Sequence, residues 1–209
     1  MRIAMVGTRG VPAAYGGFET AVEEIGKRLV ERGHHVIVYT RVDDRETAPR
    51  EYLGMELVPL PAVRSKALET LTHTASSTAH VVAKSKPDMA FLFNAANAIY
   101  LPALRAKKIP VATHVDGLEW QRTKWGKGGR AFYRRSESFA VRCSDALIAD
   151  AQGIADYYQA EFGATTDLIA YGAPILPGCD TSKLGADLEY KKFHVLVARL
   201  EPENHVREG

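Results

Sequence analysis

The chain is poor in cysteine, carries little net charge and contains no long apolar run. Its two cysteines, Cys143 and Cys179, do not have a metal-binding spacing and are expected to stay as reduced thiols. A net charge of +2 over 209 residues does not imply a polyelectrolyte partner for the chain as a whole. No apolar stretch approaches the roughly 20 residues that span a bilayer, and Arg2 leads into a strand rather than a signal peptide. These absences favour a globular cytoplasmic protein.

The N-terminal residues predict a strand, a loop, a helix and a second strand. Residues 2–6 form a short apolar run that is typical of a buried parallel strand. Residues 18–32 place apolar side chains on one helical face, with acidic residues early and basic residues late. Gly33 suits the left-handed residue that closes a helix, and residues 34–40 form the next strand. The result is a βαβ unit.

The loop of this unit is rich in glycine. Its glycines are Gly7, Gly10, Gly16 and Gly17. Such a loop presents backbone N–H groups at the positive end of a helix, where a phosphate binds, although the same glycines would also suit a plain tight turn. The glycine spacing does not fit the dinucleotide-binding fingerprint, which also needs an acid after the second strand. Because Phe18 follows Gly17, the loop is not a nucleotide P-loop either.

The remaining sequence alternates between strand-like and helix-like segments. Residues 41–54 are polar and are expected to form an exposed loop. Further strands are predicted at residues 55–60, 89–93, 109–114, 146–149 and 167–170, and helices at residues 67–84, 98–107, 130–142 and 151–162. This alternation predicts an α/β fold with a doubly wound parallel sheet, Rossmann-like, and helices on both faces.

The last part of the sequence predicts a second domain that is only begun. Residues 1–171 form the Rossmann-like domain, residues 172–192 form a linker, and residues 193–209 contain a new strand and a turn. A strand in so short a segment has no partner to pair with. The sequence is therefore expected to be a fragment that includes the first strand of a second domain. The alternative is one complete domain with a C-terminal edge strand.

Three titratable side chains follow one of the predicted strands. His114, Asp116 and Glu119 lie within six positions, where the strand at residues 109–114 ends. Open α/β sheets bind their ligands at the carboxyl edge of the strands. Three polar groups at that edge favour a functional site over a purely structural role.

Residues 120–135 interleave six basic residues with four aromatic residues. This pattern suits a surface for an anionic lipid or a lipid-diphosphate acceptor, although a solvated loop and helix start would have the same composition. Nucleic acid is a weaker alternative, because no nucleic-acid motif is present. The candidate acceptor or membrane surface comprises Trp120, Arg122, Lys124, Trp125, Arg130, Arg134 and Arg135.

Two of these stretches resemble a known family. The segment from Gly7 through Pro12 to Tyr15-Gly16-Gly17-Phe18-Glu19 is similar to the N-terminal signature of retaining glycosyltransferases of family four, which have the two-Rossmann-domain GT-B fold. Together with Val115-Asp116-Gly117-Leu118-Glu119-Trp120, it looks most like the bacterial rhamnosyltransferase-like subgroup. The chain would then be the N-terminal, acceptor-side half of such an enzyme.

The resemblance implies a reaction and its partners. Enzymes of this kind transfer a hexose or a 6-deoxyhexose, here rhamnose by preference, from a nucleotide-diphosphate sugar to a saccharide or lipid-linked saccharide acceptor. They retain the anomeric configuration and need no metal or other cofactor. The protein would act in cell-surface polysaccharide synthesis, in the cytoplasm or at the inner face of the cell membrane. The 209 residues alone would be inactive, because half of the cleft would be missing.

The resemblance also implies which residues bind the donor diphosphate. Gly16 and Gly17 would approach it through their backbone, with Arg9 in the same loop. Arg199 matches the diphosphate-binding arginine of the family. Where the family often has a lysine six positions later, this chain has His205, which weakens the positive charge there.

The catalytic stretch of the family carries a histidine that touches the donor sugar. Either His114 or Asp116 occupies its position, and Glu119 lies in the same stretch. Asp116 is favoured, because the matched string Asp116-Gly117-Leu118-Glu119-Trp120 fixes the alignment, and the rhamnosyltransferase-like subgroup has asparagine where this chain has His114. The expected role of Asp116 is to orient the donor sugar.

Two other classes of protein remain as alternatives. One is a non-catalytic Rossmann module that binds a sugar nucleotide or a lipid. The other, less favoured, is an NADP-dependent oxidoreductase in which Arg41 would meet the 2′-phosphate. The spacing of the glycines argues against the oxidoreductase.

Overall fold

The computed structural model describes residues 1–14, 16–42, 46–63, 65, 68–122, 125–173, 175, 178, 188 and 192–194. In these residues the strands are Arg2–Val6 (β1), His35–Arg41 (β2), Glu51–Tyr52 (β3), Met55–Leu60 (β4), Met89–Phe93 (β5), Val111–Val115 (β6), Ala146–Ala149 (β7) and Asp167–Leu168 (β8). The α-helices are Gly17–Glu31 (α1), Glu69–His80 (α2), Leu101–Ala106 (α3), Lys127–Cys143 (α4) and Gln152–Phe162 (α5). Shorter 3₁₀-helices cover Ala95–Tyr100 and Glu119–Gln121, and a π-helical turn covers Val81–Ser85. The predicted linker and the strand predicted after residue 193 lie mostly outside the described residues.

The strands form one sheet in the order β3-β4-β2-β1-β5-β6-β7-β8. Neighbouring strands are parallel, except that β3 is antiparallel to β4. The predicted α/β fold with a doubly wound, Rossmann-like sheet is confirmed.

Several element bounds differ from the predicted ones: α4 begins three residues earlier, at Lys127, and β8 ends at Leu168. Two further departures have a visible cause. The predicted loop at residues 41–54 contains the strand β3, because Leu53 and Gly54 both have positive φ and turn the chain back into a hairpin. The helix predicted at residues 98–107 begins earlier, as a 3₁₀-helix. The side chain of Asn94 starts it by accepting a hydrogen bond from the N–H of Ala96 at 2.8 Å.

Each face of the sheet has its own apolar core. Helix α1 packs on one face, where Val22 meets Met5 and Val38. The opposite face packs on α3, α4 and α5, and its core residues include Val6, Leu92, Leu101, Leu104, Ala140 and Tyr158. Burial on both faces explains why the central strands are apolar throughout rather than alternating.

The winding of the chain reverses next to β1. From β1 the chain adds β2 and β4 on one side, and β5 to β8 on the other. The carboxyl ends of β1 and β5 therefore border the crevice in which open α/β sheets bind ligands. The glycine loop follows β1, and Asp116 follows β6 in the same direction.

The loops after β1 and β5 touch through their backbones. Gly7 has a φ of +101°, and a Cβ there would lie 2.3 Å from the carbonyl oxygen of Phe93. The buried side chain of Asn97 donates from Nδ2 to the carbonyl oxygens of Gly7, at 3.2 Å, and Phe93, at 2.8 Å. This contact fixes the two loops relative to each other.

The contact predicts a large effect of Gly7→Ala. This change should lower the free energy of unfolding by more than about 2 kcal/mol, because both the positive φ and the overlap with the Phe93 oxygen must be relieved. Gly33→Ala is the matched control. Gly33 has a φ of +80°, but no described atom lies within 4 Å of an added Cβ, so its cost should be about 1 kcal/mol. Urea unfolding followed by circular dichroism measures both, and equal losses would contradict the close approach.

Candidate functional site

Helix α1 begins at Gly17, and no described side chain caps it. Gly16 is the N-cap residue and is extended, with a φ of −143° and a ψ of 168°. The N–H groups of the first turn therefore remain open to a ligand, and the helix dipole makes this end positive. The predicted phosphate site thus faces the crevice of the sheet.

Two carboxylates of α1 hold the loop that precedes it. Glu19 Oε1 accepts a hydrogen bond from the N–H of Arg9 at 3.3 Å, and Glu23 Oε2 accepts one from the N–H of Ala13 at 2.7 Å. A Cβ on Gly16 would lie 2.7 Å from Glu19 Oε2, so this carboxylate stands beside the helix end. Its negative charge opposes the binding of an anion, and a phosphate has to move it aside.

The arginines near the glycine loop share one carboxylate. Glu69 Oε2 on α2 lies 3.7 Å from Arg9 Nη2 and 3.4 Å from Arg41 Nη1. Arg41 also donates from Nη2 to Thr70 Oγ1 at 3.0 Å, and its side chain is only 10% exposed. These partners leave Arg41 poorly placed to meet a 2′-phosphate, which argues against the oxidoreductase. The side chain of Arg9 is half-exposed and remains accessible to a ligand.

His114 is enclosed by three aromatic rings. Its ring stacks with that of Phe93, at a centroid distance of 5.8 Å, and with that of Tyr171, at 5.7 Å. The ring of Phe18 meets it edge-on at 5.2 Å. Neither nitrogen of the buried imidazole makes a well-formed hydrogen bond with a described residue. Burial lowers the pKa of His114, so the imidazole is neutral at neutral pH.

Asp116 is half-buried directly after β6. Its Oδ1 accepts a hydrogen bond at 3.0 Å from the N–H of Ala95, which lies in the segment after β5. Burial, with a smaller contribution from Glu119 and Glu137, raises the pKa of Asp116 to about 7, although the N–H of Ala95 favours the carboxylate. Asp116 can therefore be either an acid or a carboxylate near neutral pH.

Glu119 braces the segment between β6 and α4. Arg122 Nη1 lies 3.1 Å from Glu119 Oε2, and Trp125 Nε1 donates to Glu119 Oε1 at 3.3 Å. The ring of Trp125 also packs against Tyr133, at a centroid distance of 5.0 Å. The effect of Glu119 on the site is electrostatic, through the pKa of Asp116.

A hydrogen-bond cluster joins α4 and α5 to the segment after β6. The hydroxyl of Tyr157 accepts from Trp120 Nε1 at 3.1 Å and Arg134 Nη1 at 2.9 Å, and donates to Glu137 Oε2 at 2.7 Å. The guanidinium of Arg134 lies 5.1 Å from the centre of the Trp120 ring and donates to Glu161 at 2.8 Å. These five residues form the Tyr157 cluster.

The candidate acceptor or membrane surface is therefore divided. Four of its residues use their polar groups within the protein, namely Trp120, Arg122, Trp125 and Arg134. Arg130 and Arg135, in contrast, are exposed on α4. An acceptor or an anionic membrane would meet these two cations first.

Two predicted site residues lie outside the described part of the chain, and one residue near His114 was not predicted. Lys124 and Arg199 lie outside the described residues. The described residues contain no group of three His, Cys, Asp or Glu side chains that could hold a metal ion. None of the helices in the described ranges is long and apolar enough to cross a membrane. Sequence reasoning missed Tyr171, although it follows the strand predicted at residues 167–170 just as Asp116 follows its own strand.

The first 174 residues match a family model. Residues 1–174 match the model of a family described as a domain of unknown function, DUF1972. No curated protein matches the sequence.

Several solved structures have a similar fold. Sucrose-phosphate synthase from Thermosynechococcus elongatus is 20% identical with a TM-score of 0.66, over 82% of this chain and 48% of its own. Anabaena Alr3699/HepE in complex with UDP and glucose is 16% identical with a TM-score of 0.58, over 82% and 44%. Arabidopsis thaliana UGT89C1 complexed with UDP-L-rhamnose is 10% identical with a TM-score of 0.51, over 77% and 46%. The chain thus spans about half the length of these proteins, and the likeness shows the fold.

The Tyr157 cluster predicts a loss of stability in Tyr157→Phe. Removing the hydroxyl leaves the buried Glu137 carboxyl and two donors without their shared partner, which should cost about 1–3 kcal/mol of unfolding free energy. Arg135→Ala, on the exposed face of the same helix, should stay within about 0.5 kcal/mol of the wild type. Chemical denaturation measures both variants. A Tyr157→Phe variant as stable as the Arg135→Ala control would contradict the cluster.

Proposed function

This chain belongs to the family described as a domain of unknown function, DUF1972, and we propose that it is one domain of a glycosyltransferase. The uncapped start of α1 and the ring-enclosed His114 meet at the reversal point of the sheet, and this observation carries the proposal. The start of α1 suits a phosphate, and the region around His114 and Asp116 suits a sugar. A nucleotide-diphosphate sugar contains both.

The chemistry follows from these positions. The donor diphosphate lies at the first turn of α1, held by the backbone of Gly16 and Gly17 and by the nearby Arg9. Negative charge develops on the diphosphate as the bond between its oxygen and the anomeric carbon of the sugar breaks. The positive end of α1 stabilises this charge. Asp116 accepts a hydrogen bond from the sugar and orients it, while the neutral His114 lies buried behind Tyr171. Arg199 supplies further positive charge to the diphosphate.

The identity of the donor is proposed from two sources. Proteins with the same fold have been solved as complexes with UDP and glucose or with UDP-L-rhamnose, which supports a nucleotide sugar. The sequence resemblance supports a hexose or 6-deoxyhexose, with rhamnose favoured, and retention of the anomeric configuration. Because this chain spans about half of those proteins, a second domain is proposed to complete the cleft.

The acceptor is proposed to be a saccharide or a lipid-linked saccharide in cell-surface polysaccharide synthesis. The exposed Arg130 and Arg135 would then contact an anionic group of the lipid-linked acceptor or the anionic inner face of the cell membrane. The protein would work in the cytoplasm or at that face. No metal is proposed for the reaction, since the helix end and the arginines provide the positive charge.

Turnover by the full-length protein tests the proposal. Purified protein is incubated with UDP-glucose or UDP-L-rhamnose and a saccharide or lipid-linked acceptor, and release of UDP and transfer of the sugar are measured. Nuclear magnetic resonance of the new anomeric centre tests retention, and a chelator tests independence of metals. Donor binding without turnover on any acceptor would instead favour the non-catalytic module.

The raised pKa of Asp116 predicts a specific pH profile. If the carboxylate orients the sugar, kcat/KM should rise with pH and level off above about 7. A limb well below pH 6.5 would instead point to His114, whose pKa is lowered. Asp116→Asn should remove the limb and most of the turnover while the KM for the donor changes less.

The same shift has a consequence for stability. Because the folded-state pKa of about 7 lies above the ordinary value of 3.8, the folded protein binds more protons between these pH values. The contribution of Asp116 to stability therefore falls as pH rises from about 4 to 7. Asp116→Asn should be at least as stable as the wild type at pH 8, and a clear loss of stability there would contradict the assignment.

The glycine loop predicts that Gly16→Val is inactive but folded. Its branched side chain should block the phosphate and reduce kcat/KM by at least about 100-fold, roughly 2.7 kcal/mol of barrier. The fold should tolerate it, because the backbone is extended and the nearest atom belongs to the flexible side chain of Glu19. Gly126→Val is the matched control, since Gly126 is the extended N-cap of α4. Equal activity of the Gly16→Val and Gly126→Val variants would contradict binding of the phosphate at the start of α1.

A further inference from the structure

Tyr171 follows β8 and touches both parts of the proposed site. Its ring stacks on that of His114, with centroids 5.7 Å apart and planes inclined by 14°. Its Cε2 would lie 3.4 Å from a Cβ on Gly17, the first residue of α1. A single side chain therefore reaches from the glycine loop to the imidazole.

Tyr171 is the outermost ring of a three-ring stack. The ring of Phe93 is inclined by 19° to that of His114, and the ring of Tyr171 by 14°. Phe93 is 2% exposed, His114 is 5% exposed and Tyr171 is 46% exposed. Because the two inner rings are covered, a ligand that enters the crevice meets the stack at Tyr171.

The hydroxyl of Tyr171 is available to a ligand. It has no hydrogen-bond partner among the described residues. Burial raises the pKa of Tyr171, and the carboxylates of Asp150, Asp116 and Glu19 raise it further, so the phenol stays protonated and can donate. A half-exposed ring with a free donor is amphipathic, as the surface of a sugar is.

We infer that Tyr171 positions the transferred sugar, by packing its ring on the apolar face of the sugar and donating its hydroxyl to a sugar oxygen. This inference depends on the proposed function. It adds a positioning residue that the sequence motifs did not contain.

The position of the ring selects the sugar over the other parts of the donor. A phosphate bound at the first turn of α1 would border the ring of Tyr171 at Gly17. The ring continues from there to His114, and Asp116 lies near its hydroxyl. The group attached to the phosphate on this side therefore runs along Tyr171 towards the residues assigned to the transferred sugar.

Binding of UDP and UDP-glucose to the full-length protein tests this role, with isothermal titration calorimetry as the readout. Both probes carry the diphosphate, but only UDP-glucose carries a sugar to be transferred. Tyr171→Ala should weaken the affinity for UDP-glucose by about 10-fold or more, and the affinity for UDP should stay within about 2-fold of the wild type. Tyr171→Phe keeps the ring and should lose less affinity for UDP-glucose than Tyr171→Ala does. Ile169→Ala, an exposed apolar residue of the same segment, should leave both affinities unchanged.

The outcomes separate this inference from the proposed function. If the wild type binds UDP-glucose and Tyr171→Ala binds it equally well, Tyr171 does not position the sugar and the proposed function stands. If Tyr171→Ala weakens both probes by the same factor, the residue serves the fold or the phosphate, and the sugar role is overturned. If the wild type binds neither probe, a uridine-linked donor is excluded, and both the proposed donor and this inference fail. Melting temperatures of the variants identify any loss that comes from unfolding.

Discussion

The backbone contact between Gly7 and Phe93 governs the geometry of the whole crevice. It occurs where β1 and β5 end side by side, and the buried amide of Asn97 bonds both carbonyl oxygens there. Any residue with a Cβ at position 7 would push the two loops apart. The start of α1 and the ring stack are attached to these loops, so this contact fixes their distance together with the direct contact between Phe18 and His114. The proposed site is thus built on backbone packing, and its polar side chains are added to an already fixed frame.

Negative charge is concentrated at the centre of the crevice. Asp116, Asp150 and Glu19 all act on the hydroxyl of Tyr171, and the arginines of the first two strand ends share Glu69. An anion that binds here depends on the dipole of α1 and on positive charge from elsewhere, for which Arg199 is the proposed source.

Local sequence patterns predicted the sheet, and they predicted the residues at strand ends. The β1–α1–β2 unit and the later strands could be predicted from the sequence, because a doubly wound sheet buries its central strands on both faces. Such strands appear in the sequence as short apolar runs. His114 and Asp116 could be found because the end of a parallel strand has a known place in the fold. The 3₁₀ start at Ala95 depends on one side-chain cap at Asn94, which periodicity does not reveal.

Contacts between distant segments were beyond the sequence. Arg134 looked like part of a basic surface, but α4 and α5 pack so that its guanidinium meets Tyr157 and Glu161. Tyr171 follows β8, which pairs with β7, and its contact with the His114 ring at the end of β6 is a tertiary contact that no local pattern reveals. Composition indicates that such residues are charged or aromatic, but tertiary packing decides whether they face solvent, a partner or each other.

The placement of β1 has a consequence for how the protein is made. β1 is synthesised before both of its partner strands, yet it lies inside the sheet, pairing Ile3 with Val36 of β2 and with Met89 of β5. While the chain grows on the ribosome, one edge of this apolar strand has no partner until residues 89–93 emerge. Pairings so distant in sequence are slow to form and leave apolar edges open to aggregation. The arrangement that sets the glycine loop in the crevice therefore leaves one edge of an apolar strand unpaired for as long as the chain takes to grow from β2 to β5.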